Sequence, residues 1–437
     1  MEEFRVDRQA ASWPQSLMTC LSGLSGLAVG LLQKRYSIRY IAVAGSVVGW
    51  IGIIASGFAP NIIWMSITMG VIHSIGSGAV YLAVKIFTVM YFEKYRSTAL
   101  GIALVGITVA GFVFPKLLLY LRSAYGFSNA LLLLGALSMN STPLIFLLKV
   151  PPWSKLSERK ESTSSLRPLT TVYVIEGNVD REYPAAGQSS FISSQNTRAN
   201  IAIMWSPVFH IVIWSTAATF TLDLTFLTTI ADYSEDKGLS LDDAVWISSC
   251  FSSTNLLGRL CLPLLADKQY LRRSTLLTLT QLLTGVVMVI TPFAATYWSI
   301  ATIVALASCF VACSLVLHEV LIADYFGVES YGFIQGIIGL VRAPLQLCNP
   351  VLAGIFRDRM GAYDNLYRFQ GGLILFFGLL WWTIVYCEGR CPSFFPSMRP
   401  EETIKSKAVL EMSTHSGRQI SPNAGNPSDH SAEFRVI

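Results

Sequence analysis

The sequence predicts an all-α, polytopic membrane protein of about 11 transmembrane helices arranged in two related halves. Three observations lead there: a shortage of charge, a series of apolar runs of spanning length, and an internal repeat. Only 14% of the 437 residues are charged, 52% are hydrophobic, and the mean hydropathy is +0.51. A soluble domain carries about a quarter charged residues. Charge on a lipid-facing surface costs several kcal/mol, which accounts for the shortage. The net charge of +5 is modest and unclustered, so it is no nucleic-acid footprint.

A spanning helix needs about 20 mostly apolar residues. The first window, 14–33, places Ser22, Gly26 and Gly30 on one face. The second, 38–58, does the same with Gly45 and Gly49, and the third, 62–86, with Gly70, Ser74 and Gly78. Small residues at every fourth position let helix backbones approach closely in lipid. Windows 97–120 and 127–148 complete the first half. The second half holds 201–227, 244–266, 274–294, 298–322, 332–356 and 369–387. Connections such as Phe58 to Asn61 and Ala295 to Tyr297 are too short to join anything but antiparallel neighbours. Between the halves, 151–200 is rich in Ser, Thr and charge and reads as a flexible loop. The organisation expected is a helical half at 1–150, the loop at 151–200, a six-helix half at 201–391 and a disordered tail at 392–437. The first fifteen residues are charged and lack the apolar stretch of a signal peptide. Cys20, Cys250, Cys261, Cys309, Cys313 and Cys348 fall inside apolar runs as small packing residues, while Cys387 and Cys391, at the end of the last run, suit palmitoylation.

Basic residues give the orientation. Lys34, Arg35, Arg39, Lys94, Arg96, Lys268, Arg272, Arg273 and seven more in the central loop fall on one side, fifteen in all. Arg122, Lys237, Arg357, Arg359 and Arg368 are the five opposite. The central loop and C-terminus are therefore expected in the cytoplasm, with the N-terminus external.

The halves repeat. Pro115 is followed by Arg122 and Gly126, and Pro350 by Arg357 and Gly361 at the same offsets. The segments QKRYSIR and ADKQYLRR are both basic turns leading into the next apolar run. Parallel repeats of six helices are the architecture of the major facilitator superfamily. The first half has five runs against six, so the chain is expected to start after the place where a first helix would end.

Tyr91, Phe92, Lys94, Arg96, Ala99, Gly101, Ala103 and Gly106 resemble the fourth-to-fifth helix signature of the monocarboxylate transporters, with departures at Tyr95, Thr98 and Val105. The similarity continues through Asp232, Tyr233, Lys237 and Gly238, then Asn255, Gly258 and Arg259, then Pro350, Gly354 and the stretch 361–364. The resemblance implies a solute carrier working by alternating access on small monocarboxylates or related organic anions. It also implies a plasma-membrane location and, as for some members, a single-span chaperone subunit as partner. The family's first-helix signature and its lysine have no counterpart here. Proton-coupled members have an Asp four residues before the Arg of the eighth helix. Asn255 stands there instead, so the resemblance does not carry proton coupling to this pair.

No GxSxG, Walker A or metal-spaced cluster occurs, so no enzyme and no cofactor is expected. Ionisable residues inside spans are the candidates, because they are costly in lipid and usually face a cavity. Arg259 can clamp a carboxylate bidentately or serve as a helix–helix bridge. Asn255 shares its face. Arg342 can bind an anion or hold a gate. Lys85 can face the cavity or snorkel to the basic surface. His318 and Glu319 are proton-coupling candidates that point about 100° apart, with a structural pair as the alternative. His73 and His210 read as packing residues, and Asp223 as a hydrated group nearer the external end. Two other readings of the chain stay open: a non-transporting or truncated protein on the same fold, and a carrier of neutral or aromatic solutes.

Overall fold

The computed structural model describes residues 8–33, 35–149, 151, 203–359 and 361–390. The central loop except Pro151, the first seven residues and the tail from 391 lie outside the described residues. Each apolar window lies on helix. We number them α1 (Arg8–Leu32), α2 (Ile38–Ser56), α3 (Ile62–Tyr91), α4 (Arg96–Tyr125), α5 (Phe127–Phe146), α6 (Pro207–Asp236), α7 (Leu241–Leu260), α8 (Arg273–Ile290), α9 (297–326), α10 (328–354) and α11 (Asp364–Arg390). Seven stretches among the described residues are both long and apolar enough to cross a membrane, one of them the joined α9 and α10.

The ends follow local chemistry. Asn61 caps α3 by accepting from the Trp64 amide at 2.8 Å, and Thr296 caps α9 in a reciprocal box with Ser299. Within α3, residues Ser66–His73 form a π-helical stretch. The expected loop between windows 298–322 and 332–356 is instead helical throughout, turned only at Gly327, where φ is 80°. The repeat is visible in the backbone. Gly126 ends α4 at φ 81°, and Gly361, after the π-helical turn Ile355–Arg359 that follows α10, has φ 78°, a positive-φ conformation that glycine enters without the Cβ penalty.

The small face of Ser22, Gly26 and Gly30 finds its partners on two other helices. α1 packs on α10 of the other half, with Gly26 against Gly336 and Gly30 against Gly332. A Cβ on Gly339 would overlap the Gly23 carbonyl oxygen, so two backbones meet there directly. Ser22 and Ser25 meet Gly78 of α3, and Gly45 and Gly49 of α2 meet Gly76. α4 crosses the boundary too, packing on α7 with Gly101 beneath the Arg259 carbonyl.

Candidate functional site

The two halves are joined at the end where the basic loops gather. Asp324, in the last turn of α9, takes Arg96 Nη1 at 2.5 Å and Arg273 Nη1 at 2.9 Å. Arg273 also reaches Asp267 at 3.2 Å and the carbonyls of Glu93 and Lys94. Asp267 Oδ2 accepts from both the backbone amide and the hydroxyl of Thr98, each at 2.7 Å. A carboxylate on the first turn of α4 is favoured by the helix dipole. Arg39 donates to the Phe146 carbonyl at 2.6 Å, which brings the α1–α2 turn to the same end.

Deeper between the halves lies an ionised cluster. Lys85 of α3, only 3% exposed, donates to Glu319 Oε1 at 2.9 Å and Gln335 Oε1 at 3.0 Å, and its ammonium lies 4.7 Å from the Tyr81 ring centroid. Glu319 also accepts from the Tyr331 hydroxyl at 2.6 Å and from Gln335 Nε2. Three donors surround that carboxylate, as a buried charge requires. Arg342, two turns further along α10, is held differently. Its guanidinium lies 3.3 Å from the Phe220 ring centroid, a stacking worth about 1 kcal/mol for a half-buried pair. With the Gln346 amide donating to the Thr19 carbonyl at 3.2 Å, its oxygen accepts from Arg342 Nη2 at 3.2 Å. Arg342 Nε is buried without a hydrogen-bond partner, and Arg342 makes no ion pair among the described residues.

A third group flanks α6. Arg259 Nε donates to Asn255 Oδ1 at 2.9 Å, and Arg259 Nη1 reaches the Leu104 carbonyl of the other half at 3.4 Å. Asn255 Nδ2 in turn donates to Asp223 at 3.2 Å. His318 lies inside the second half, fully buried. Its Nδ1 donates to the Ser314 carbonyl at 2.7 Å, so Nε2 accepts, within 3.0 Å of Ser215 Oγ and 3.3 Å of Gln281 Nε2. Trp381 donates to the same Ser215 and packs edge-on to the imidazole.

A family model described as Major Facilitator Superfamily matches residues 1–268 and 212–416. The chain belongs to the Major Facilitator Superfamily. Human monocarboxylate transporter 14 is 34% identical over 140 residues, covering 32% of this chain and 28% of that protein. The match therefore spans under a third of that relative's length. Human monocarboxylate transporter 2 is 22% identical over 376 residues, covering 85% of this chain and 76% of that protein. The resemblance read in the sequence is borne out by these relatives. Among solved structures, the proton:xylose symporter XylE bound to 6-bromo-6-deoxy-D-glucose superposes with a TM-score of 0.66 at 13% identity. It covers 87% of this chain and 88% of that one, and it shows the fold.

Within this superfamily fold, the sequence candidates divide. Lys85 and Glu319 come together across the halves, and Lys85 does not reach the basic surface. Arg342 joins them from α10, one turn beyond Ile338 and two beyond Gln335. Arg259 and Asn255 form a separate pair on α7, linked to α6 through Asp223. His318 and Glu319 diverge, one into the second half and the other into the boundary. Tyr81, Phe220, Tyr331 and Gln335 were missed. A polar stripe at 331, 335, 342, 346 and 349 in an otherwise apolar run was the available signal, because those spacings share one helix face. Asp223 was read as a hydrated group nearer the external end of its apolar window. It lies half-buried mid-way along α6, hydrogen-bonded to Asn255.

Proposed function

We propose that this protein carries small monocarboxylates or related organic anions across the plasma membrane by alternating access. The observation that carries the reading is Arg342. Its guanidinium lies between the halves, stacked on Phe220, with Nε unpartnered and no ion pair among the described residues. A half-buried arginine with donors to spare suits a carboxylate, whose two oxygens match the guanidinium fork. Arg259 is a second interior cation, linked to the Asp223 carboxylate through the Asn255 amide. The names of the relatives support the substrate class.

In this reading the moving bodies are the halves at 1–150 and 201–391. Arg342 and Arg259, with Asn255, face the solute. Lys85 and Glu319 part and rejoin as the basic end opens and closes. The basic end, and with it the C-terminus, faces the cytoplasm by the positive-inside rule. A single-span chaperone is the expected partner in cells.

The test is uptake by the full chain in proteoliposomes. Labelled L-lactate, pyruvate and a neutral solute of similar size are supplied in parallel. Saturable uptake of the anions, mutually competitive, is expected. Uptake of the neutral solute unaffected by lactate would replace the substrate class, and no uptake of any would remove the transport reading.

A further inference from the structure

Asp223 stands near the middle of α6, at a depth where a carboxylate is costly and rare. It makes no ion pair among the described residues. It accepts a hydrogen bond from Asn255 Nδ2 at 3.2 Å, and the oxygen of the same amide accepts from Arg259 Nε at 2.9 Å. Carboxylate and guanidinium thus face each other through a single amide. The other elements around α6 present different groups. α10 brings Arg342 onto Phe220, one turn before Asp223, and Asn349 onto Thr225. α9 brings His318 onto Ser215, α8 brings Gln281 onto Thr219, and α11 brings Tyr367 onto Thr229. Arg259 is the charged group whose field reaches Asp223.

We propose that Asp223 is the proton-binding residue that couples anion movement to protons, with Asn255 as the link that transmits its charge state to Arg259. The inference rests on the anion-carrier reading above. Arginine stays charged at any working pH and an amide cannot titrate, so Asp223 is the member of this triad able to change charge. With Asp223 ionised, the triad is neutral and holds an anion weakly. With Asp223 protonated, the Arg259 charge is uncancelled, and the Arg342 charge adds to it from one turn away. An anion then binds more tightly, and by reciprocity the bound anion favours the proton. Proton and anion travel together on that account. The proton joins an Asp223 oxygen from water on one side and returns to water on the other, and no bond of the solute changes. The empty carrier returns with the triad neutral, which lowers the cost of crossing closed states in a low-dielectric interior.

The experiment uses the full chain in proteoliposomes with L-lactate as probe. One arm needs no transport. The infrared difference spectrum between about pH 5 and about pH 8 should contain a carboxylic-acid carbonyl band that Asp223→Asn removes and Asp223→Glu keeps, since only an ionisable side chain at 223 contributes it. In the second arm the inside is held at about pH 7.5. Wild-type uptake should rise as the outside is lowered to about pH 6, by at most the roughly 30-fold change in proton concentration. With each variant's uptake normalised to its own lactate counterflow at equal pH, Asp223→Asn should respond to the gradient by less than about twofold. Asp223→Asn combined with Asn255→Asp, which moves the carboxylate one hydrogen bond along the triad, should restore the response. A gradient response in Asp223→Asn equal to wild type would overturn the proposal, as would a spectrum unchanged by that substitution. Absence of wild-type lactate counterflow would instead remove the anion reading, and the infrared arm would still decide whether Asp223 takes a proton.

Discussion

Replacing Lys85 by methionine removes one partner of an ion pair that spans the two halves. The Lys85 ammonium is 2.9 Å from Glu319 and 3.0 Å from Gln335, and both acceptors are buried. Losing one member of such a pair costs about 3–5 kcal/mol, because the remaining charge is left in a poor solvent. Glu319 keeps the Tyr331 hydroxyl and the Gln335 amide, and hydrogen bonds to a charged group contribute about 1.5–3 kcal/mol each, so the lower end applies. The expected destabilisation is about 3 kcal/mol, roughly 100-fold in the population of the state closed at the basic end. The Lys85→Met, Glu319→Gln double variant leaves no unpaired charge and should lie within about 1 kcal/mol of wild type. Thermal unfolding of the purified protein in one detergent gives the cycle, with the double variant melting above the Lys85→Met single. Equal melting of Lys85→Met and wild type would refute the reasoning. So would a double variant no more stable than the single.

Three further outcomes follow from the geometry. Arg342→Lys keeps the charge but loses the planar stack on Phe220 and the fork, and should lower anion uptake at least about tenfold at equal surface level, measured in proteoliposomes. Gly339→Val forces a side chain against the Gly23 carbonyl and should cost about 1–3 kcal/mol in thermal stability, whereas Gly372→Ala, whose Cβ meets open space, should not. His318→Phe leaves Ser215 and Gln281 without their shared acceptor and should destabilise by about 1–3 kcal/mol while leaving the pH dependence of uptake unchanged. A pH profile that moved with His318 would assign it a transport role.

Much of the fold was legible because lipid imposes a simple rule on length and charge. Each apolar window lies on a helix, and the matched Pro–Arg–Gly spacing reappears as two glycines of positive φ. Contacts between the halves were not legible. The small face of α1 finds its partner more than three hundred residues away, on α10, and no periodicity within one helix names a distant neighbour. The join of α9 and α10 was hidden for a local reason. Residues 323–331 contain Asp324 and Glu329 and read as a polar break, yet one glycine turns the chain while the rest stays helical. At the site, charge inside a span pointed to Lys85, Arg259, Arg342 and Glu319 as residues of interest. It could not say that Lys85 meets Glu319 while Arg342 meets an aromatic ring, since pairing depends on which helices adjoin. Asp223 was undervalued because its partner, Asn255, lies on another helix.

In alternating access the halves, closed on each other at the basic end, must part there for an anion to pass. Gln33, in the turn just after α1, reaches over Gly332 of α10 at that end. Cysteines placed at 33 and 332, in a background free of the native cysteines, can be joined by a short reducible thiol cross-linker. Lactate counterflow in proteoliposomes is then measured before joining, after joining and after reduction. Loss of counterflow on joining and its return on reduction is the predicted result. Counterflow at the original rate with the two positions joined would contradict the account.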